Sequence, residues 1–128
     1  MQTTVLLVEP HPEARDIFAT VLRHAGYDVL EARNGEEAMR LALERQPHLV
    51  VCGFPVLLPT GGQLGEALRR HAATSTVPIL AVTSHVFPED LERARRSGVD
   101  EVLPKPVALA RLLEVVERLA GPAARPDA

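Results

Sequence analysis

Short apolar runs alternate with helix-like patterns along the whole chain. The runs have the length of β-strands and cover residues 4–8, 27–32, 49–52 and 77–82, with a weaker one at 101–103. Because each interval between them carries a helical pattern, the alternation predicts right-handed βαβ units. We therefore expect an α/β fold, in which a single doubly wound domain has a five-stranded parallel sheet with helices on both faces.

Start and stop residues predict five helices, at residues 12–26, 34–46, 62–71, 88–98 and 109–119. Asn34 and Glu37 have the spacing of a capping box at the start of the second helix. The third helix is the weakest prediction, because Gly65 inside it costs about 1 kcal/mol relative to alanine. The fifth helix has a broad apolar stripe with Val115 at its edge, which fits either core packing or a contact surface.

The fourth helix carries three arginines that resemble a basic patch. However, Glu89 and Arg93 are four residues apart, and so are Glu92 and Arg96. Opposite charges at this spacing pair on a helix surface. This pattern favours a solvated helix face over a site for an anionic partner.

The composition is that of an ordinary globular domain. The chain has 128 residues, of which 46% are hydrophobic and 24% charged, and its net charge of −3 gives no reason to expect nucleic acid or an anionic membrane as a partner. It has no apolar run of about 18 residues, no signal-peptide pattern and a single cysteine, Cys52, which we expect to be buried. These features predict a cytoplasmic protein with one domain at residues 1–120 and a flexible tail or linker stub at residues 121–128.

The predicted strands end in residues that can carry chemistry. In an open parallel sheet the carboxyl ends of the strands form a crevice where ligands bind. The residues that follow these ends are Glu9, Pro10 and His11 after the first strand, Gly53 after the third, Thr83 and His85 after the fourth, and Lys105 after the fifth. Lys105 is the only lysine of the chain, and Gly53 follows its most apolar short run.

Seven short stretches together resemble the receiver domain of two-component response regulators. They lie at residues 5–9, 12–15, 26–29, 32–38, 78–83, 98–100 and 103–106, and the resemblance covers roughly residues 3 to 120. It implies a flavodoxin-like sheet with strand order 2-1-3-4-5. It also implies a phosphoacceptor aspartate at the end of the third strand.

Two of the positions that this resemblance assigns to phosphorylation carry residues that cannot do the chemistry. The acidic pair that holds Mg²⁺ in the family falls on Glu9 and Pro10, and the phosphoacceptor falls on Gly53. Aspartyl phosphorylation needs a carboxylate nucleophile, and Mg²⁺ prefers several oxygen ligands. We therefore expect no phosphorylation at this site, no enzymatic activity, no cofactor and weak or absent binding of Mg²⁺.

The resemblance also identifies positions that are kept and one that is changed. The hydroxyl and the lysine that contact the phosphoryl group are kept as Thr83 and Lys105, whereas the aromatic switch residue is replaced by Val102. A preserved scaffold with a vestigial phosphorylation site favours a phosphorylation-independent receiver. In this hypothesis the domain signals by binding a protein partner, or a second copy of itself, through the fourth helix, fifth strand and fifth helix.

Other functions remain open. With two acids removed, a crevice that keeps Thr83, Lys105, His11 and His85 could bind phosphate or another small anion. A conventional phosphorelay receiver with a different acceptor is disfavoured, because the nearest acids, at positions 31, 36, 37 and 44, belong to the second strand and helix. A transition-metal site of Glu9 with the two histidines lacks a metal-binding spacing, and a flavin site lacks the aromatics and the phosphate loop.

Overall fold

The computed structural model describes residues 1–124, in which strands and helices alternate. In chain order the elements are β1 (Thr4–Val8), α1 (Pro12–His24), β2 (Asp28–Ala32), α2 (Gly35–Arg45), β3 (Leu49–Cys52), α3 (Leu64–Arg70), β4 (Ile79–Thr83), α4 (Pro88–Arg96), β5 (Glu101–Pro104) and α5 (Leu109–Ala120). All neighbouring strands are parallel, and their order is β2-β1-β3-β4-β5. The predicted fold class, strand order and set of helices are confirmed.

The sheet separates two apolar clusters, one under each layer of helices. Side chains of β1 alternate between them, so that Val5 and Leu7 pack with α1 and α5, and Leu6 and Val8 pack with α2, α3 and α4. Strands β3 and β4 are buried at every residue, which explains why their sequences are unbroken apolar runs. Val115 is fully buried in the first cluster, so its interpretation as part of a contact surface is wrong.

Gly65 is explained by the packing of α3 against the end of α4. A Cβ atom at this position would lie 2.1 Å from the carbonyl oxygen of Ser97, which is far inside van der Waals contact. Helix α3 can approach this backbone only because residue 65 has no side chain. The helix is shorter than predicted, at Leu64–Arg70, and the glycine that weakens it locally is required by its tertiary position.

The start of α2 and the ion pairs of α4 follow the sequence pattern, with one change of partner in each. The side chain of Asn34 accepts a hydrogen bond from the backbone N–H of Glu37 at 2.9 Å, as predicted, but the Glu37 carboxylate accepts from the N–H of Arg33. On α4, Arg96 pairs with Glu92 at 2.6 Å as expected, whereas Arg93 pairs with Asp90 instead of Glu89. Asp90 is buried and also accepts the N–H of Phe87 at 3.2 Å, which fixes it beside the first turn.

Residues 121–124 lie against the N-terminal end of the sheet. The N–H of Thr3 donates to the carbonyl of Ala123 at 2.8 Å, and the hydroxyl of Tyr27 donates to the carbonyl of Gly121 at 2.9 Å. The expected flexible tail therefore does not begin directly after α5. Its last part, residues 125–128, lies outside the described residues, and the domain boundary at residue 120 stays a prediction. Within residues 1–124, no helix has the length and apolar character needed to span a membrane.

Candidate functional site

A cavity of about 380 Å³ opens at the carboxyl edge of the sheet. It lies where β1 and β3 are neighbours and their following helices leave toward opposite faces, which is the usual binding position of this architecture. The structure brings all seven residues that the strand ends predicted to this cavity, namely Glu9, Pro10, His11, Gly53, Thr83, His85 and Lys105. Val102 lies elsewhere, on the surface formed by α4, β5 and α5.

Glu9 is buried and bonded at both carboxylate oxygens. Its Oε2 accepts the backbone N–H of His11 at 3.0 Å and lies 3.3 Å from the ring Nδ1 of the same histidine, while its Oε1 lies 3.4 Å from Nζ of Lys105. Burial raises the pKa of Glu9, but the hydrogen bonds from His11 and the charge of Lys105 outweigh it, so the pKa lies below its ordinary value. Glu9 is therefore ionised at neutral pH.

Thr83 and Lys105 are held in place by neighbouring strand ends. The Thr83 hydroxyl donates to the carbonyl of Phe54 at 3.1 Å and accepts the N–H of His85 at 3.1 Å. The N–H of Lys105 donates to the carbonyl of Thr83 at 3.0 Å, which fixes the start of the loop after β5. The lysine side chain stays 39% exposed, so its ammonium group reaches both Glu9 and the open cavity.

Gly53 leaves a space at the floor of the cavity. No atom lies within 4 Å of the position where its Cβ would stand. The backbone of this residue is also outside the left-handed region that favours glycine. Neither close packing nor backbone conformation therefore requires a glycine at the end of β3, in contrast to Gly65.

Cys52, the residue before Gly53, belongs to the core and not to the cavity. Burial raises the pKa of its thiol to about 12, which keeps the group protonated and unreactive at neutral pH. The prediction of a buried core cysteine is confirmed.

Sequence reasoning missed the second wall of the cavity. Arg33, Asn34 and Gly35 line it from the end of β2, and the loop at residues 54–57 lines it from the end of β3. The start of α2 lies close to this loop, because a Cβ on Gly35 would be 2.8 Å from the carbonyl oxygen of Leu57. The rule of strand ends predicts residues 33–35 at this edge from the second strand, and residues 54–57 from the continuation of the chain beyond Gly53.

The residues present do not fit a magnesium site. Mg²⁺ favours a near-octahedral set of oxygen ligands, and neither Pro10 nor Gly53 offers a side-chain oxygen. The oxygens of Glu9, the only carboxylate among the described residues that line the cavity, are engaged by His11 and Lys105. Across residues 1–124, no group of three or more histidine, cysteine, aspartate or glutamate side chains is arranged to hold a metal ion.

Val102 marks a second region, on the surface formed by α4, β5 and α5. There a cavity of about 420 Å³ is lined by both apolar and charged side chains, which are Leu91, Arg95, Val99, Asp100, Glu101, Val102, Arg118 and Leu119. Arg118 pairs with Glu101 across this cavity. Among the described residues, Arg95 has no ion-pair partner, so its guanidinium group is available to bind a partner at this cavity.

The sequence matches the family of response regulator receiver domains over residues 5–117. The chain belongs to this family. Receivers are modules of two-component signalling, and the sheet order described above is the one that the resemblance implied.

This receiver is similar to several characterised proteins over nearly its whole length. It is 28% identical to the polar-differentiation response regulator DivK of Brucella anthropi, over 96% of this chain and 100% of that protein. The chemotaxis protein CheY4 of Vibrio cholerae has a TM-score of 0.85 and 26% identity, covering 93% of this chain and 99% of that one. The receiver domain of the sensor histidine kinase PA1611 of Pseudomonas aeruginosa has a TM-score of 0.83 and 26% identity, covering 94% of this chain and 99% of that one. That structure has a magnesium ion coordinated in its active site cleft.

Proposed function

We propose that this receiver signals without phosphorylation at the end of β3, by binding a protein partner. The observation that carries the proposal is Gly53, the residue that stands where the family resemblance expects the phosphoacceptor aspartate. Glycine has no carboxylate to attack a phosphoryl donor. Receivers are in general signalling modules and not enzymes, so we expect no enzymatic activity of this chain.

The electrostatics of the crevice support this proposal. In the PA1611 receiver, which is similar to this chain, a magnesium ion is coordinated in the active site cleft. In this chain the ammonium group of Lys105 lies 3.4 Å from Glu9, so a fixed internal cation neutralises the carboxylate. Without a metal and an acceptor, phosphoryl transfer lacks both its electrophile stabilisation and its nucleophile.

Incubation with acetyl phosphate and Mg²⁺, followed by measurement of the intact mass, tests the first half of the proposal. We expect the mass to stay unchanged, because no carboxylate in the crevice is free to be phosphorylated. A receiver with an aspartate at the end of β3 serves as the positive control. A gain of one phosphoryl group by this chain, stable or transient, would overturn the proposal.

The surface formed by α4, β5 and α5 is the proposed site of partner binding. Its cavity combines the partly exposed apolar side chains of Leu91, Val102 and Leu119 with the guanidinium group of Arg95, which forms no ion pair with any described residue. Buried apolar contact supplies affinity, and an unpaired charge at the rim supplies specificity. We expect the occupant to be a protein, including a second copy of this chain, and not nucleic acid.

Site-specific photocrosslinking tests this surface. An apolar photoreactive amino acid replaces Leu91, in the lining of the cavity, in one variant and Arg40, on the exposed side of α2, in the control. We expect covalent adducts from position 91 only, and an adduct of twice the monomer mass would identify the homodimer. Equal labelling from both positions, or none from position 91, would contradict the proposed surface.

A second candidate function is the binding of a small anion in the crevice, which is favoured by the open space at Gly53 next to the exposed ammonium group of Lys105. Thermal-shift titration with inorganic phosphate should then raise the melting temperature of the wild type. The shift should be lost in Lys105→Ala and kept in Arg40→Ala. Absence of any shift in the wild type would exclude this function.

A further inference from the structure

A second cavity, of about 330 Å³, adjoins the crevice. The two cavities share the side chains of Phe54, Pro55, Leu57 and His85 as lining residues. Each volume lies at the lower end of the range of small-molecule pockets, which is about 300–1,000 Å³. A ligand that extends past the shared wall would occupy both spaces.

The two spaces differ in chemistry. Two cationic side chains, Arg33 and Lys105, line the crevice against the single carboxylate of its described lining, that of Glu9, which is buried beside Lys105. The lining also holds Ser84 and the empty position at Gly53. The second cavity has apolar walls from Phe54, Pro55 and Leu57, and its charged members, Asp90 and Arg93, are paired with each other. One end of the joined space therefore suits an anionic group, and the other suits an apolar group.

The loops around the joined space expose large apolar side chains. Leu57 is 60% exposed in the loop after β3, and Phe87 and Val86 are 70% and 39% exposed in the loop after β4. Exposed apolar residues concentrated beside a cavity with a few convergent polar groups are a feature of ligand sites. Leu57 also belongs to the wall that the two cavities share.

We propose that the joined cavities bind a small carboxylate that carries an aromatic or branched aliphatic group. The carboxylate lies in the space left by Gly53, near Lys105 and Thr83, and the apolar group lies against Phe54 and Leu57. This inference rests on the second candidate function, the binding of a small anion, and specifies the class of ligand. It is independent of partner binding by α4, β5 and α5.

Titration of the ¹⁵N-labelled chain by NMR tests the inference with three probes. They are 3-phenylpropionate, propionate, which lacks the apolar group, and 3-phenylpropanamide, which lacks the charge. We expect 3-phenylpropionate to shift the amide signals of residues 53, 54, 56 and 57 and of residues 83–85, and to bind at least tenfold more tightly than either of the other probes. Charge and apolar contact must both contribute for this order to appear.

Two pairs of variants locate the site. Leu57→Ser should weaken binding of 3-phenylpropionate at least fivefold, whereas Leu43→Ser, at an exposed leucine of α2, should leave it unchanged. Lys105→Met should abolish the preference for the carboxylate over the amide. Because removal of the lysine leaves Glu9 unpaired, the double variant Glu9→Gln with Lys105→Met is tested beside it, and both must retain the circular dichroism of the wild type.

Each outcome of these titrations has a distinct meaning. If propionate binds but 3-phenylpropionate is no tighter, the site takes small anions and the two-part cavity is wrong. If 3-phenylpropionate binds with equal strength to wild type and Leu57→Ser, the apolar wall is not used and the inference is also overturned. If no probe shifts any signal, the inference is excluded, whereas the phosphate thermal shift decides separately on the small-anion function and the mass experiment on phosphorylation.

Discussion

The fold leaves room for a side chain at position 53, where the sequence has glycine. No atom lies within 4 Å of the missing Cβ, so the first atom of an aspartate side chain meets no clash there. We expect the double variant Pro10→Asp with Gly53→Asp to gain one phosphoryl group from acetyl phosphate and Mg²⁺, since it restores both a nucleophile and a second acidic residue beside Glu9. Measurement of the intact mass should show this gain in the double variant and little or none in Gly53→Asp alone.

The control for this experiment is Gly62→Asp, which also enters open space but lies outside the crevice lining. It should gain no phosphoryl group. Failure of the double variant, when it is folded, would mean that Thr83 and Lys105 no longer support phosphoryl transfer. The interpretation of these two residues as parts of a vestigial phosphorylation site would then be wrong.

Glu9 links the crevice to the pH dependence of stability. Its pKa is lower in the folded chain than in the unfolded chain, so its contribution is fully present above the unfolded pKa of about 4.3 and is lost as the pH falls through the folded pKa. We expect Glu9→Gln to reduce the free energy of unfolding more at pH 7 than at pH 3. Urea denaturation at the two pH values measures this difference.

An exposed acid with no ion-pair partner among residues 1–124 supplies the control for this pH effect. Asp16→Asn, on α1, should change the free energy of unfolding little and by a similar amount at both pH values. A loss in Glu9→Gln that is as large at pH 3 as at pH 7 would contradict the ionic role of Glu9.

The composition of the crevice was predictable from sequence, but its bonds were not. Glu9, Gly53, Thr83 and Lys105 lie at or directly after strand ends, and parallel strands end at one edge of the sheet. The pairing of Glu9 with Lys105 joins residues 96 positions apart, so it depends on the path of two side chains after folding. No local pattern reports such a path.

At the level of elements, helix propensity and tertiary packing have opposite effects on a substitution at Gly65. Propensity alone predicts that Gly65→Ala stabilises α3 by about 1 kcal/mol. The Cβ would stand 2.1 Å from the carbonyl oxygen of Ser97, and forced overpacking costs about 1–3 kcal/mol or more. We expect packing to dominate and the variant to lose on the order of 2 kcal/mol in the free energy of unfolding, measured by denaturant titration.

Gly62→Ala is the matched control for this prediction. It lies in open space just before α3 and does not have a left-handed backbone conformation. Its stability should equal that of the wild type or rise slightly, because alanine restricts the unfolded chain. A stabilised Gly65→Ala variant would show that α3 can shift away from Ser97 at little cost.

Apolar character alone does not predict where a strand begins. The run at residues 77–82 was expected to be one strand, but β4 begins at Ile79, whose N–H donates to the Asp100 carboxylate at 2.8 Å. Val77 is buried with the core outside the strand. Apolar character therefore reports burial, whereas the end of a strand depends on which group receives each backbone hydrogen bond.

For the whole molecule, alternation of strands and helices predicts a parallel sheet but not the order of its strands. The order came from the resemblance to receivers, and the observed sheet agrees with it. This order is what places the ends of β1 and β3 side by side, so that Glu9 and Gly53 meet in one crevice. A shift in the order of the strands would separate the residues and remove the site.

Burial also divides the sheet into a stable centre and a weaker edge. Every residue of β3 and β4 is buried, whereas only Leu103 is buried among the residues of β5, which pairs on one side only. Regions with little buried apolar surface open at lower free energies than the core. We expect amides of β5 and α4 to exchange hydrogen through local opening, and amides of β1 and β3 only through global unfolding, as measured by native-state hydrogen exchange with increasing urea.

Hydrogen exchange also tests the proposed partner surface. If a protein docks on α4, β5 and α5, it binds the part of the sheet that opens most easily, so binding should slow exchange there and leave β1 and β3 unchanged. A partner that binds only the closed form of this region makes its local opening rarer. The slowing of amide exchange should therefore be largest where the free chain opens most easily. Equal exchange in β3 and β5 of the free chain would instead show one cooperative unit, and the surface would then be as rigid as the core.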